Sequence, residues 1–150
     1  MKLPREWNEL ISSLISHRVR FLIVGAHALA AHGRPRATQD LDLFVEPTRA
    51  NAKRLGAALA DFGYQELALQ WARFAERDRM ATLGREPLRI DIMTSISGVD
   101  FKRAWKGRAL VEYGRFTVGI LGRDDLITNK RASGRTKDLL DIALLEEIED

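Results

Sequence analysis

Residues 25–45 read GAHALAAHGRPRATQDLDLFV, and within them Asp40-Leu41-Asp42 says most about the fold. Two carboxylates separated by one apolar residue fit a β-strand, whose side chains alternate between its two faces. Asp40 and Asp42 are then expected to share one face, while Leu41 and Leu43 point into a core. Adjacent ionised carboxylates repel each other, and a bound divalent cation relieves that repulsion. Oxygen-only ligands suit Mg²⁺ or Mn²⁺; the simpler alternative is a solvated strand face near a turn.

The composition of the chain is that of a globular domain. It has 150 residues, 45% of them hydrophobic and 30% charged, so we expect a single domain over residues 1–150. No stretch approaches the roughly 18 apolar residues of a membrane span, so no membrane association is expected. The N-terminal residues also lack the apolar run of a secretory signal. Zero cysteines exclude disulfides, thiolate zinc sites and a cysteine nucleophile, which agrees with a cytoplasmic location.

Charge is unevenly distributed along the chain, although the net charge is only +3. Residues 101–137 contain ten Lys or Arg against three Asp or Glu, a local balance of +7, whereas residues 138–150 contain six acidic residues and no basic one. A basic stretch beside a metal site could attract polyphosphate or nucleic acid. It could equally be a solubilising surface.

Apolar periodicity predicts a mixture of helices and strands. The predicted helices cover about residues 5–16, 26–31, 48–62, 101–106, 124–132 and 136–148, with Thr48 and Asp124 as N-caps. The predicted strands cover residues 21–24, 39–45, 88–93, 109–111 and 116–120, the last two forming a hairpin. Residues 65–84 fit either a helix or a strand, with Trp71, Phe74 and Met80 expected to be buried. Strands mixed with helices and followed by a helical end indicate an α/β or α+β domain with a central sheet.

Two other positions join the acidic pair in a candidate site. Gly25 ends a predicted strand and opens a short helix, where glycine allows a tight turn close to a ligand and backbone N–H groups can face a phosphate. Asp91, in LRIDIM, is polar on an otherwise apolar strand, and its phase lets it join Asp40 and Asp42. Three carboxylates in one site can hold two metal ions for phosphoryl-type transfer, with Asp91 as general base for the attacking hydroxyl. The alternative for this third carboxylate is a structural ion pair with Arg89 or Arg36.

Together these motifs resemble the polymerase-beta-like nucleotidyltransferase superfamily. Its signature is an apolar residue followed by Gly and then Gly or Ser, with alternating Asp and apolar positions further on. Here the two parts read Val24-Gly25-Ala26 and Asp40-Leu41-Asp42-Leu43. With DDLITNKRASGRTKDLLDIALLEE at residues 124–147, the pattern is similar to the small bacterial branch related to AbiEii-type abortive-infection toxins. The resemblance implies a minimal nucleotidyltransferase fold, a mixed central sheet flanked by helices.

The resemblance also implies roles for individual residues. The implied metal ligands are Asp40, Asp42 and Asp91. The residues implied to face the nucleotide phosphates are Gly25, Ala26, Arg36, Thr38, Lys130 and Lys137, with Lys130 also in the catalytic set. Asp138 and Asp141 complete a closing KDxxD motif, in which they could position either lysine or simply favour the helix N-terminus. Position 26 departs from the pattern, because alanine offers no hydroxyl to a phosphate.

Histidines and tryptophans are expected to pack rather than to bind a ligand. His27 and His32 are five residues apart across a short predicted helix, a spacing that does not suit a paired metal site. The three tryptophans, Trp7, Trp71 and Trp105, are expected in the core or between helices. A base-stacking role for Trp71 is the lesser alternative.

The implied activity is transfer of a nucleoside monophosphate from an NTP, such as ATP, to an acceptor hydroxyl, with Mg²⁺ or Mn²⁺ and release of pyrophosphate. The implied acceptors are RNA, at the 3′ end of tRNA, or a protein. The implied setting is toxin–antitoxin or phage defence, with a cognate toxin or antitoxin as partner. A homodimer could help to hold the acceptor. The rival hypothesis is a non-catalytic, antitoxin-like regulator that binds nucleotide or a toxin; the intact acids argue against it and Ala26 argues for it.

Overall fold

The structure is a computed structural model that describes residues 4–33 and 40–149. Within these residues the helices are α1 (Arg5–Ser16), α2 (Gly25–Ala31), α3 (Arg49–Phe62), α4 (Gln65–Leu69), α5 (Phe101–Lys106), α6 (Arg123–Ser133) and α7 (Thr136–Glu149). The strands are β1 (Phe21–Val24), β2 (Leu41–Val45), β3 (Met80–Leu83), β4 (Ile90–Met93), β5 (Ala109–Tyr113) and β6 (Phe116–Ile120). A 3₁₀ helix spans Trp71–Ala75. None of the described helices is both long and apolar enough to cross a membrane.

The strands form one mixed sheet in the order β3-β4-β2-β1-β6-β5. Strand β2 lies near the middle, antiparallel to β1 and parallel to β4. Strand β6 runs parallel to β1, and the two outer strands, β3 and β5, are antiparallel to their neighbours. The helices flank this sheet, which confirms the predicted mixed α/β architecture.

The register of the central strands brings distant residues side by side. Val24 at the end of β1 lies opposite Asp42 in β2, and Asp42 lies opposite Asp91 in β4. Residues in register on neighbouring strands point to the same face of the sheet. Leu41 and Leu43 are fully buried. The predicted alternation of acidic and apolar positions is therefore confirmed for β2.

Local signals explain the bounds of α3. The Thr48 hydroxyl accepts a hydrogen bond from the Asn51 backbone N–H at 3.2 Å, as expected of an N-cap. Gly63 follows the helix with a φ of +106°, a left-handed conformation that glycine adopts readily. Both of these sequence signals are confirmed.

The prediction that Asp124 caps α6 is wrong. Gly122 occupies the N-cap position without a side-chain hydrogen bond, and Asp124 lies inside the first turn. The backbone of Gly122 passes so close to Gly107 that a Cβ at position 122 would overlap the Gly107 carbonyl oxygen. Chain packing thus determines where α6 begins, and the acidic first turn complements the helix dipole.

The segment that sequence reasoning left open, residues 65–84, contains α4, the 3₁₀ helix and β3. Phe74 is fully buried, and Trp71 packs partly against the core, beneath the guanidinium of Arg49. Met80, however, is 56% exposed. The expectation that Met80 is buried is wrong because β3 is an edge strand, where one face of the residue meets solvent.

Candidate active site

Asp42 and Asp91 lie side by side on one face of the sheet, in neighbouring positions of β2 and β4. Burial, the negative charges of Asp91 and Asp40 and a hydrogen bond to Asp91 together raise the pKa of Asp42 from 3.8 to about 6. Arg89 opposes this shift only in part. The carboxylates therefore form a cluster that is short of positive charge.

Arg89 lies between two of these carboxylates. Its Nη2 is 2.8 Å from Oδ2 of Asp40 and 3.4 Å from Oδ2 of Asp91. The other oxygen of Asp91, Oδ1, accepts a hydrogen bond from the Thr82 hydroxyl at 2.8 Å. The ion pair proposed above as the alternative for Asp91 is thus present with Arg89, whereas Arg36 lies outside the described residues.

Gly25 begins α2 directly beside Asp42. Its φ is +68°, a conformation that disfavours residues with a side chain. A Cβ at this position would also overlap Oδ2 of Asp42. Position 25 therefore requires glycine for two independent reasons, and the second one ties the β1–α2 turn to the acidic cluster.

A cavity of about 350 Å³ opens over these residues. It is lined by Gly25, Ala26, Leu29, Asp40, Asp42, Arg89, Asp91, Lys130, Arg135 and Lys137. The structure thus brings together every predicted site residue that it describes. The remaining two, Arg36 and Thr38, lie outside the described residues.

Lys130 is buried between two acids of α7. Its Nζ lies 3.0 Å from Oδ2 of Asp141 and 3.5 Å from Oδ1 of Asp138. Asp138 also accepts a hydrogen bond from Arg135 at 2.7 Å, which holds the pKa of this carboxyl below its usual range. Of the two alternatives for the KDxxD acids, the contacts favour the positioning of a lysine, and that lysine is Lys130. Lys137 lines the cavity but makes no ion pair within residues 4–33 and 40–149.

The carboxylate oxygens of Asp40, Asp42 and Asp91 are the kind of ligand that a hard divalent cation prefers, but they are not arranged around a common point in this structure. Within the described part of the chain, no group of three or more His, Asp or Glu side chains is arranged as a ligand set. The carboxylates nevertheless line one cavity, and negative charges placed so close together are stabilised by added positive charge. Arg89 supplies that charge to Asp40 and Asp91 in this structure.

Sequence reasoning missed the central position of Arg89 and the contact of Thr82. Arg89 precedes Asp91 by two residues, so strand alternation places both on one face, and this signal was available. Thr82 pairs with Asp91 across β3 and β4. No local pattern identifies that contact, because it depends on the register of a strand that the sequence did not reveal.

The histidines pack as expected. His27 is buried between the rings of Trp7 and Tyr113, its Nδ1 hydrogen-bonds the Tyr113 hydroxyl, and burial lowers its pKa. Nε2 of His32 contacts the Leu121 carbonyl oxygen at 2.8 Å.

The basic stretch at residues 101–137 is partly neutralised by ion pairs. Arg103 pairs with Asp125 at 2.9 Å, and Arg131 pairs with Glu146 of α7 at 3.5 Å. Four exposed cations of the stretch make no ion pair within the described residues: Lys102, Lys106, Arg115 and Lys137. The acidic end of the chain thus offsets part of the charge that the sequence suggested for a polyanion.

No model of a protein family matches the sequence, and neither does any curated protein. Solved structures do match. A candidate nucleotidyltransferase from Thermotoga maritima is 14% identical with a TM-score of 0.55, and the match covers 97% of this chain and 87% of that one. The lincosamide antibiotic adenylyltransferase LnuA, solved with lincomycin bound, is 11% identical with a TM-score of 0.57, over 97% of this chain and 98% of that one. An antigenic nucleotidyltransferase-like protein from Paracoccidioides brasiliensis is 13% identical with a TM-score of 0.54, over 95% and 75%.

These matches show that the chain has a nucleotidyltransferase fold, as its sequence predicted. The more specific likeness to the AbiEii-type branch stays a prediction.

Proposed function

We propose that this protein is a metal-dependent nucleotidyltransferase. It binds an NTP with Mg²⁺ or Mn²⁺, transfers the nucleoside monophosphate to an acceptor hydroxyl and releases pyrophosphate. The observation that carries the proposal is one cavity in which Asp40, Asp42 and Asp91 meet the glycine turn and four cationic side chains. The fold, shared with nucleotidyltransferases over nearly the whole chain, supports it independently.

The metal ligands in this proposal are Asp40, Asp42 and Asp91, and the cation supplies positive charge to the triphosphate. Gly25 and Ala26 leave room for phosphates beside the backbone of the β1–α2 turn, because neither has a long side chain.

Lys137 of the cavity wall is suited to the phosphate oxygens as a point charge, and Arg135, whose Nε and Nη2 contact Asp138, has further N–H donors for them. Lys130 adds positive potential from below, but Asp138 and Asp141 already hold it, so we assign it less direct contact with the nucleotide.

Asp91 is the proposed general base. It takes the proton of the acceptor hydroxyl while that oxygen attacks the α-phosphorus and the bond to pyrophosphate breaks. Positioning and charge neutralisation supply most of the catalysis in reactions of this kind.

The acceptor that we place first is RNA, at the 3′ end of tRNA. Lys137, an exposed cation of residues 101–137 that lines the cavity and makes no ion pair with the described residues, supports this choice. A protein hydroxyl is the second acceptor class, and a toxin–antitoxin or phage-defence setting follows from the sequence resemblance. The fold shared with an adenylyltransferase of an antibiotic adds small molecules as a third acceptor class to be assayed.

The test is incubation with each α-³²P-labelled NTP, Mg²⁺, total RNA and cell lysate. We expect label in one acceptor class with the wild type and none with Asp42→Asn. Asp78→Asn is the matched control, because Asp78 is exposed and its side chain makes no ion pair or hydrogen bond with the rest of the described chain. Equal labelling by wild type and Asp42→Asn would contradict the proposed site.

A non-catalytic nucleotide-binding regulator is the second candidate function. Two observations favour it specifically: Arg89 occupies the space between Asp40 and Asp91, and Lys130 is already neutralised. This candidate predicts thermal stabilisation by an NTP with no label in RNA, protein or small molecules. Stabilisation accompanied by labelling would eliminate it.

A further inference from the structure

Arg89 contacts the acidic cluster in the way a bound cation would. One terminal nitrogen, Nη2, touches both Asp40 and Asp91, at 2.8 and 3.4 Å. Asp40 immediately precedes β2 and Asp91 lies in the neighbouring strand β4, so the guanidinium links the start of β2 to β4 across the site. The side chain of Arg89 is 38% exposed, so it can move without disturbing the core.

The hold on Arg89 is incomplete. Its Nε is buried and makes no hydrogen bond to any of the described residues. Its Nη1 lies 3.6 Å from Oε1 of Glu86, whose side chain is 58% exposed. A guanidinium has five N–H donors, and one that satisfies few of them gains from an anion that offers more oxygens.

We propose that Arg89 is a built-in counter-cation of the acidic cluster, which a divalent metal ion replaces and whose released guanidinium then binds a phosphate group of the nucleotide. This inference rests on the proposed function. Arg89 lines the same cavity as Arg135 and Lys137, so the exchange needs only a rotation of its own side chain.

The exchange makes metal and nucleotide binding cooperative. A metal ion that binds alone displaces Arg89 from Asp40 and Asp91 and leaves the guanidinium without an anion. A nucleotide that binds alone finds the guanidinium already held by carboxylates. Each ligand removes the obstacle to the other, and the two must raise one another's affinity by the same factor.

The test measures binding, not turnover. The free Mn²⁺ signal in electron paramagnetic resonance reports how much metal is bound, and α,β-methylene-ATP supplies a nucleotide whose α–β linkage cannot be cleaved. We expect Arg89→Gln to bind Mn²⁺ alone on the order of tenfold more tightly than wild type, because one positive charge has left the carboxylates. The same variant should bind the Mn²⁺–nucleotide complex more weakly and lose most of the coupling factor.

Two further variants separate this role from a structural one. Arg89→Lys keeps the charge, so we expect Mn²⁺ affinity near that of wild type with partial coupling. Arg85→Gln removes the same charge from an exposed position in the same segment, outside the cavity, and should change neither quantity.

The outcomes distinguish this inference from the proposed function. If Arg89→Gln binds Mn²⁺ no better than wild type, while binding still requires Asp42, the exchange is overturned and the metal site stands. If Mn²⁺ binding is absent, or if Asp42→Asn does not abolish it, both the exchange and the metal-dependent function are overturned.

Discussion

Replacement of Asp42 by asparagine is expected to stabilise the metal-free protein at neutral pH. The carboxylate is partly buried, faces Asp91 and Asp40, and has a pKa raised to about 6 by burial and by these charges. Asparagine has nearly the same shape and can still hydrogen-bond Asp91, but it carries no charge. The substitution therefore removes a repulsion that the folded state suffers and the unfolded state does not.

The sign and the size follow from the pKa shift of Asp42. The pKa of Asp42 in the folded protein lies above the unfolded value of 3.8, so the protonated carboxyl favours folding. This stabilisation is complete below pH 3.8 and is lost as the pH rises through about 6. A shift of roughly two pKa units corresponds to about 3 kcal/mol at most. Solvent reaches part of the carboxylate and screens its charge, so we expect a gain of about 1–2 kcal/mol for Asp42→Asn at pH 7.5.

The assay is urea denaturation in EDTA at pH 7.5 and pH 4, with Asp78→Asn as the control. Asp78 is exposed and has a φ of +61°, which asparagine tolerates, so its substitution should change the free energy of unfolding little at either pH. We expect the gain of Asp42→Asn at pH 7.5 to shrink at pH 4. A loss of stability at pH 7.5, or an equal gain at both values, would refute the idea that Asp42 carries an unrelieved charge.

Three other substitutions test separate parts of the structure by chemical denaturation. Gly25→Ala should lower the free energy of unfolding by more than the about 1–2 kcal/mol that a left-handed backbone alone costs, because the new Cβ overlaps Asp42. Gly63→Ala, at a φ of +106° with open space around it among the described residues, should show the backbone cost only. Equal losses of stability in the two variants would count against the overlap. Asn51→Ala should lower stability by about 3 kcal/mol, since the side-chain amide of Asn51 makes three hydrogen bonds to the backbone of Arg20 and Glu46. A loss under about 1 kcal/mol would contradict the role of these three bonds. Lys130→Met should cost roughly 3 kcal/mol, and Lys130→Met with Asp141→Leu should recover part of it; no recovery would mean that charge is not the cause.

The strand phase was the most reliable guide to the site. Alternation alone indicated that Asp40 and Asp42 share a face, and the apolar run around Asp91 indicated a second strand of the same kind. The sheet confirms that Asp42 and Asp91 are neighbours. The N-cap and the end of α3 were likewise predicted from neighbouring residues alone, from Thr48 and Gly63.

Interactions between distant segments could not be read in this way. Arg89 was visible as a partner for Asp91, but its contact with Asp40 depends on the parallel register of β2 and β4. The burial of Lys130 between two acids depends on how α6 packs against α7. The start of α6 depends on a close approach of Gly122 to Gly107, which the acidic residue at position 124 does not reveal.

The most direct test of the acidic cluster is a crystal structure with Mn²⁺ and α,β-methylene-ATP, examined by anomalous scattering at the manganese edge. We expect a peak within coordination distance of Asp42 and Asp91, with Arg89 turned from Asp91 toward the phosphates. An empty cluster still bridged by Arg89, with the nucleotide absent or bound elsewhere, would contradict it.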